Sequence, residues 1–203
     1  GVVEGRKFTH PEFRLAFEAP SGFFLINGTR AVSINGQSGK GEFGSAAYSG
    51  SLDSYIRSVF ADLTEQGQPR IEPATIQHTT VNGIPAAYGT ARVASNGSQV
   101  DVVVFAYEWS GSQAFHFLTI SQAGNASTFN AMFSSLRRIS AAEAAQVRPR
   151  KLVVTTVQRG DTVQSLSRRM AYSDAPLDRF LALNALATDA HLAPGQKVKL
   201  VTY

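Results

Sequence analysis

The pairs Asn82-Gly83 and Asn96-Gly97 each stand between runs in which apolar and polar residues alternate. Asn-Gly is the dipeptide that a two-residue hairpin demands, because both central residues must take positive φ. The three runs they join, Ile71 to Val81, Ile84 to Ala94 and Val100 to Trp109, are therefore expected to lie antiparallel. Ser110-Gly111 then passes the chain to a fourth run, Ala114 to Ile120. Upstream, Phe13 to Phe17 alternates and stops at Ala19-Pro20, Gly22 to Ile26 and Arg30 to Ile34 flank Asn27-Gly28, and Gly41 to Tyr48 follows.

Two segments break this period of two. Ser51 to Leu63 carries Leu52, Tyr55, Ile56, Val59, Phe60 and Leu63 on one helical stripe, and Ser127 to Ile139 reads as a helix through Phe129, Met132, Phe133 and Leu136. An antiparallel meander with packed helices is an α+β layer fold. Ser140 to Val147 reads as a further short helix, which Arg148-Pro149-Arg150 ends, since Pro disfavours helix in the residue before it. That break predicts a first domain over residues 1–148 and a second over 149–203. Charge changes at the same place. Residues 1–148 hold 11 Lys/Arg and 11 Asp/Glu, whereas residues 149–203 hold 8 and 4 and account for the whole net charge of +4.

In the second domain a β-branched run, Leu152 to Val157, is followed by Gly160-Asp161, a turn signal. Asp161 with Gln164 three residues on reads as a capping box, and Val163, Leu166 and Met170 recur at helical spacing. Asp174 and Pro176 open a second helix carrying Leu177, Phe180, Leu181 and Asn184. Pro194-Gly195 turns the chain into a returning strand, Val198 to Val201.

This order of strand, Gly-Asp turn, helix, helix, Pro-Gly turn and strand resembles the LysM module, a small βααβ domain of bacterial envelope proteins. The resemblance implies binding of peptidoglycan or another N-acetylglucosamine polymer in a shallow groove. Carried over by motif position, one lip is Gly160, Asp161, Thr162, Val163 and Gln164, and the other is Asn184, Ala185 and Leu186. The family usually has Gly where this chain has Ala185. Residues 1–148 are similar to the PsbP-type sandwich through Phe17-Glu18-Ala19-Pro20-Ser21-Gly22-Phe23, the helix after Leu52, Asn82-Gly83-Ile84-Pro85-Ala86-Ala87, Gln113 to Phe117 and Phe129 to Ser140. The two in tandem, after Val3 to Pro11, resemble the C-terminal, non-catalytic region of bacterial periplasmic zinc metallopeptidases of the HtpX/BepA-like group. That resemblance implies a periplasmic or envelope location, envelope proteins as further partners, and zinc only in a catalytic domain that these residues do not contain.

Read without the resemblance, the residues offer little chemistry. There is no cysteine, which excludes disulfides and thiolate sites, and H-E-x-x-H is absent. His10, His78, His116 and His191 pair with no ligand at helical spacing, so no metal or catalytic residue is expected here. His116 and His78 read as strand residues. Gly36 to Gly41 lacks the spacing of a phosphate loop and precedes a strand, so it reads as a hairpin. Glu65 and Glu72 flank a turn without pairing logic. Phe105, Tyr107 and Trp109 share one strand face, which reads as core; an exposed Trp109 would instead be a sugar platform. The basic residues of the second domain have no aromatics between them, so they read as a solvated face and nucleic acid is not an expected partner. No run is long and apolar enough for a membrane span, and no signal peptide or initiating Met stands at the start, as in a processed fragment. The alternative to a glycan-binding accessory region is a structural or protein-interaction module whose LysM-like part no longer binds sugar.

Overall fold

A computed structural model describes residues 1–64 and 66–203; Glu65 lies outside the described residues. The chain forms two compact units, Gly1–Val147 and Arg148–Tyr203.

The first unit opens with β1 (Val2–Glu4), β2 (Lys7–His10) and β3 (Leu15–Glu18), then β4 (Phe24–Asn27), β5 (Val32–Gly36) and β6 (Gly39–Ala46). Helix α1 (Leu52–Asp62) leads to β7 (Ile76–Val81), β8 (Ile84–Ser95), β9 (Ser98–Ser110) and β10 (Gln113–Gln122). A 3-10 turn (Ala126–Phe129) runs into α2 (Asn130–Ser135), then β11 (Arg137–Arg138) and α3 (Ala141–Gln146). Two antiparallel sheets result, one in the order β4-β5-β6-β10-β9-β8-β7 and one in the order β1-β2-β3-β11.

Both Asn-Gly pairs form the expected hairpins. Asn82 and Asn96 each have φ of 49°, followed by Gly83 and Gly97 at 78°, the positive values that match the strand twist. Asn82 has a second use: its Nδ2 donates to the carbonyls of Ser134 at 3.0 Å and Leu136 at 2.7 Å, tying the hairpin tip to the end of α2. The Gly36–Gly39 segment is also a hairpin, between β5 and β6.

Strand β9 is the centre of the unit. Successive side chains of a strand point to opposite faces. Val102, Val104 and Ala106 meet Tyr55, Ile56, Val59 and Phe60 of α1. Val103, Phe105, Tyr107 and Trp109 face the other way, into a core completed by Phe8, Leu15 and Phe17 of the smaller sheet and by Phe129, Met132 and Phe133. Phe17 lies 4.8 Å from Phe43 and 4.9 Å from Phe117, so aromatic contacts join the two sheets. Trp109 is core, not an exposed platform, and the Arg138 guanidinium stacks 4.0 Å from its ring. Tyr107 is fully buried and its hydroxyl donates to the Phe133 carbonyl at 2.6 Å.

Three expectations need correction. The smaller sheet was not anticipated, because a three-residue and a four-residue strand joined at Gly5 leave too little sequence for a period to show. The helix expected through Ile139 ends at Ser135. Leu136 turns extended at ψ 127°, and Arg137 and Arg138 pair with Ala16 and Leu15 of β3. The strand expected from Ile71 begins at Ile76.

His116 sits on the α1 face, buried, with Nδ1 2.7 Å from the Tyr55 hydroxyl. That hydroxyl accepts from the Ala46 amide at 3.0 Å, and its one proton is shared between the imidazole and the more distant Ala114 carbonyl at 3.3 Å. Burial lowers the His116 pKa from 6.5 to about 4. The folded state therefore resists a proton that the unfolded chain accepts near pH 6.5. The stability this secures is complete above pH 6.5 and is lost as pH falls towards 4, by up to about 3 kcal/mol. Thermal melts followed by Trp109 fluorescence should show a falling Tm over that window. His116→Gln should flatten the dependence; an unchanged slope in that variant would assign it to other groups.

Candidate functional site

The second unit is a two-stranded antiparallel sheet, β12 (Lys151–Thr156) and β13 (Lys197–Thr202), enclosing α4 (Val163–Ser167) and α5 (Pro176–Leu183). Val157, Val163, Leu166, Phe180, Leu181, Val198 and Leu200 are its buried centre, together with Met170. Eight such side chains make a small core, so polar bonds at the loops matter to its stability.

The first loop is held by a closed turn. Gly160 takes φ of 91°, a value without penalty only for glycine. The Asp161 amide donates to the Gln158 carbonyl at 3.1 Å, and the Gln158 amide donates to Asp161 Oδ2 at 2.8 Å. Asp161 therefore closes the turn and does not cap the helix. The cap is Thr162, one residue later: its Oγ1 accepts from the Ser165 amide at 3.0 Å, and Ser165 Oγ accepts from the Thr162 amide at 2.9 Å. Ser165 takes the reciprocal role that the sequence pattern assigned to Gln164, because a serine hydroxyl spans the same short gap. Gln164 is left exposed. Val163 is only 4 % exposed and packs inward, so this lip offers backbone, Thr162 and Gln164 rather than an aliphatic side chain.

The second lip is the end of α5. Asn184 Nδ2 donates to the carbonyls of Phe180 at 3.0 Å and Lys199 at 2.9 Å, while its Oδ1 accepts from the Lys199 amide at 2.7 Å. Its carboxamide acts as one more strand residue along β13, and its hydrogen-bonding capacity goes to the fold rather than to a ligand. Ala185 follows with φ of 51°. The Leu186 amide donates to the Leu181 carbonyl at 2.9 Å and the Ala185 amide to the Ala182 carbonyl at 3.3 Å, the two bonds of a Schellman ending. Ala185 thus occupies the left-handed position for which Gly is suited. Ala185 is exposed, and Leu186 packs against the same core as Val163, so both lips are anchored to one apolar cluster.

Helix α5 also starts differently from the expectation. Pro176 is at its first turn, but Ala175 precedes it at φ 42° with no side-chain cap. Asp174 instead binds Arg179 at 2.6 Å, and this hydrogen bond holds the carboxyl below its usual pKa. Arg179 and Arg150 both lie over the Tyr172 ring, 4.5 and 4.6 Å from its centre. These two of the basic residues stack on an aromatic ring while remaining exposed. No sequence pattern pairs Arg150 with Tyr172; the fold brings them together.

Among the described residues no group of three His, Cys, Asp or Glu is placed to hold a metal ion. His78 forms an exposed pair with Asp53 at 2.6 Å. No helix is long and apolar enough to cross a membrane among the described residues.

Residues 155–201 match the LysM domain family. No curated protein matches the chain. Three solved structures are similar to it: a protein of Bacteroides thetaiotaomicron (12% identity, TM-score 0.49, 82% of this chain and 59% of that one), the PsbP protein of the cyanobacterium Synechocystis (12%, 0.48, 68% and 94%), and LpqN of Mycobacterium tuberculosis, described as involved in cell envelope biogenesis (9%, 0.47, 68% and 87%). The chain spans 59% of the length of the first of these.

The two lips give stability predictions of opposite sign. Asn184→Ala strands the Lys199 amide and carbonyl, and should cost about 2 kcal/mol. Ala185→Gly relieves the left-handed strain and should gain up to about 1 kcal/mol, less the entropy that Gly returns to the unfolded chain. Hydrogen exchange at the amides of α5 in the full chain should speed up in the first variant and slow in the second.

Proposed function

We propose that the second unit binds N-acetylglucosamine-containing glycan, peptidoglycan in the first instance, through Gly160–Gln164 and Asn184–Leu186, and so places the chain at the cell envelope. The observation that carries this reading is the LysM match over residues 155–201 on a strand-helix-helix-strand fold whose two loops share one core. The roles within those loops are divided by what each side chain already does. Asp161, Val163 and Asn184 build the walls; Thr162, Gln164, Ala185 and exposed backbone face a ligand. A shallow site with few side-chain anchors corresponds to roughly 4 to 8 kcal/mol, micromolar to millimolar affinity.

The finer proposal is that the two units together are the accessory, non-catalytic part of an envelope zinc metallopeptidase. The tandem of an α+β sheet domain and a LysM-like module supports it. A zinc-binding H-E-x-x-H helix encoded upstream of Val2 in the same reading frame is the expected finding, and an unrelated upstream sequence would remove this reading. The residues present here should then hold no stoichiometric zinc after dialysis.

The structural alternative is supported by the consumption of the Asn184 carboxamide within the fold. Sedimentation with purified peptidoglycan at low and high salt separates the two. Gln164→Trp fills the groove from an exposed position and leaves the Thr162–Ser165 cap intact. Retention that survives high salt and drops about tenfold in this variant is expected. Retention that vanishes with salt and ignores Gln164→Trp would show only a basic surface on an anionic wall.

A further inference from the structure

Helix α1 covers only part of its face of the large sheet. Its apolar contacts fall mainly on β8, β9 and β10 and it reaches β6 at Ala46, while Phe24, Ile26, Ser33, Lys40 and Glu42 at the β4-β5-β6 end stay exposed. The register places Phe24, Asn35, Lys40, Ile120 and Val102 in one row across β4, β5, β6, β10 and β9. Residues directly opposite one another share a face, and Val102 lies beneath α1. The row therefore runs from the helix-covered core out to Phe24, which is 56 % exposed.

At this row a cleft of about 390 Å³ opens between the β5–β6 hairpin and the end of β10. Its polar side chains are Gln37, Ser38, Lys40, Ser121, Gln122 and Asn125, beside aliphatic Val100 and Ile120. Lys40 is the one charged side chain in that lining. Among the described residues it forms no ion pair.

Both walls are fixed. On one side a Cβ at Gly39 would stand 2.8 Å from the Ile120 carbonyl oxygen and 3.0 Å from the Phe129 ring, so the hairpin lies against β10 as only glycine permits. On the other side Asp101, buried to 5 % exposure, accepts from Arg92 at 2.8 and 3.2 Å and from the Gly124 amide at 2.8 Å. That bond pins the turn carrying Gln122 and Asn125. Next to Lys40, Asn35 has the only buried side-chain polar atom without a partner among the described residues, its Nδ2.

We propose that this cleft is a ligand site of the first unit, and that it takes a small acid carrying amide groups. A carboxylate is matched by Lys40, amides by the carboxamides of Gln37, Gln122 and Asn125, and an apolar face by Val100 and Ile120. This chemistry is shared by short peptides with a free carboxylate and by N-acetylated acidic sugars. It is independent of the glycan loops of the second unit.

The test is amide-resolved NMR titration of the full chain with N-acetylmuramic acid, with the tripeptide Ala-Gln-Ala, and with N-acetylglucosamine as the neutral control. At least one acid should shift the amides of Gly36–Lys40 and Gln122–Asn125 saturably, with the neutral sugar leaving them in place. Response to the sugar acid alone assigns the site to sugars, and to the tripeptide alone assigns it to peptides. Lys40→Gln should weaken the acid about fivefold, the effect of one exposed charge pair. Gln122→Ala should weaken it without loss of the folded spectrum. No saturable shift with either acid, or equal binding by Lys40→Gln, overturns the proposal.

Discussion

Strand β9 has no solvent face over its middle. Asp101 to Tyr107 are all buried, alternate residues meeting α1 on one side and the aromatic core on the other. A strand with two buried faces must have layers on both, so the first unit has three: helix, large sheet, and small sheet with α2. Emptying either face would leave a cavity under a whole layer; an interior Phe→Ala change of this kind costs about 3–5 kcal/mol. Even the buried charge on this strand, Asp101, is satisfied from outside the core by Arg92 and Gly124, and the Arg92 hydrogen bond keeps its carboxyl below the usual range. The layering also leaves part of one sheet face uncovered, and the open cleft lies there.

The second unit solves a different problem with fewer residues. Two short strands and two short helices cannot seal a large core, so polar side chains replace backbone where the chain turns. Asp161 closes one loop, Thr162 and Ser165 cap one helix, and Asn184 extends the sheet by a side chain. Residues that would be natural ligand contacts are thereby committed to structure. Thr162, Gln164 and Ala185 stay exposed at these two loops; under the proposed function they and the backbone beside them are what a glycan would meet.

Much of this was legible in the residues. The Asn-Gly hairpins, the Leu52–Phe60 stripe and the βααβ order depend on local chemistry, and local chemistry is what a sequence displays. The misses share a cause. The β1–β2 hairpin is too short to show a period, and the end of α2 is set by pairing of Arg137 with Ala16, far away in sequence. In the first loop a helix cap was readable but the residues that form it were not. Asp161, Thr162 and Gln164 all fit a cap one residue out of phase, and only the geometry shows that Thr162 with Ser165 forms it. Ala185 was visible as a departure from Gly; its φ of 51° shows what that departure costs. The Arg150–Tyr172–Arg179 stack and the Arg92–Asp101–Gly124 pin join residues that no linear motif connects.

The proposed function rests on the loops of the LysM-like unit. The most direct test is titration of the isotopically labelled full chain with a tetramer of N-acetylglucosamine, read amide by amide. The account predicts saturable shifts confined, within the second unit, to Gly160–Gln164 and Asn184–Leu186. A folded second unit whose amides all stay in place at saturating tetramer, or shifts centred on the outer face of β12 and β13, would contradict it.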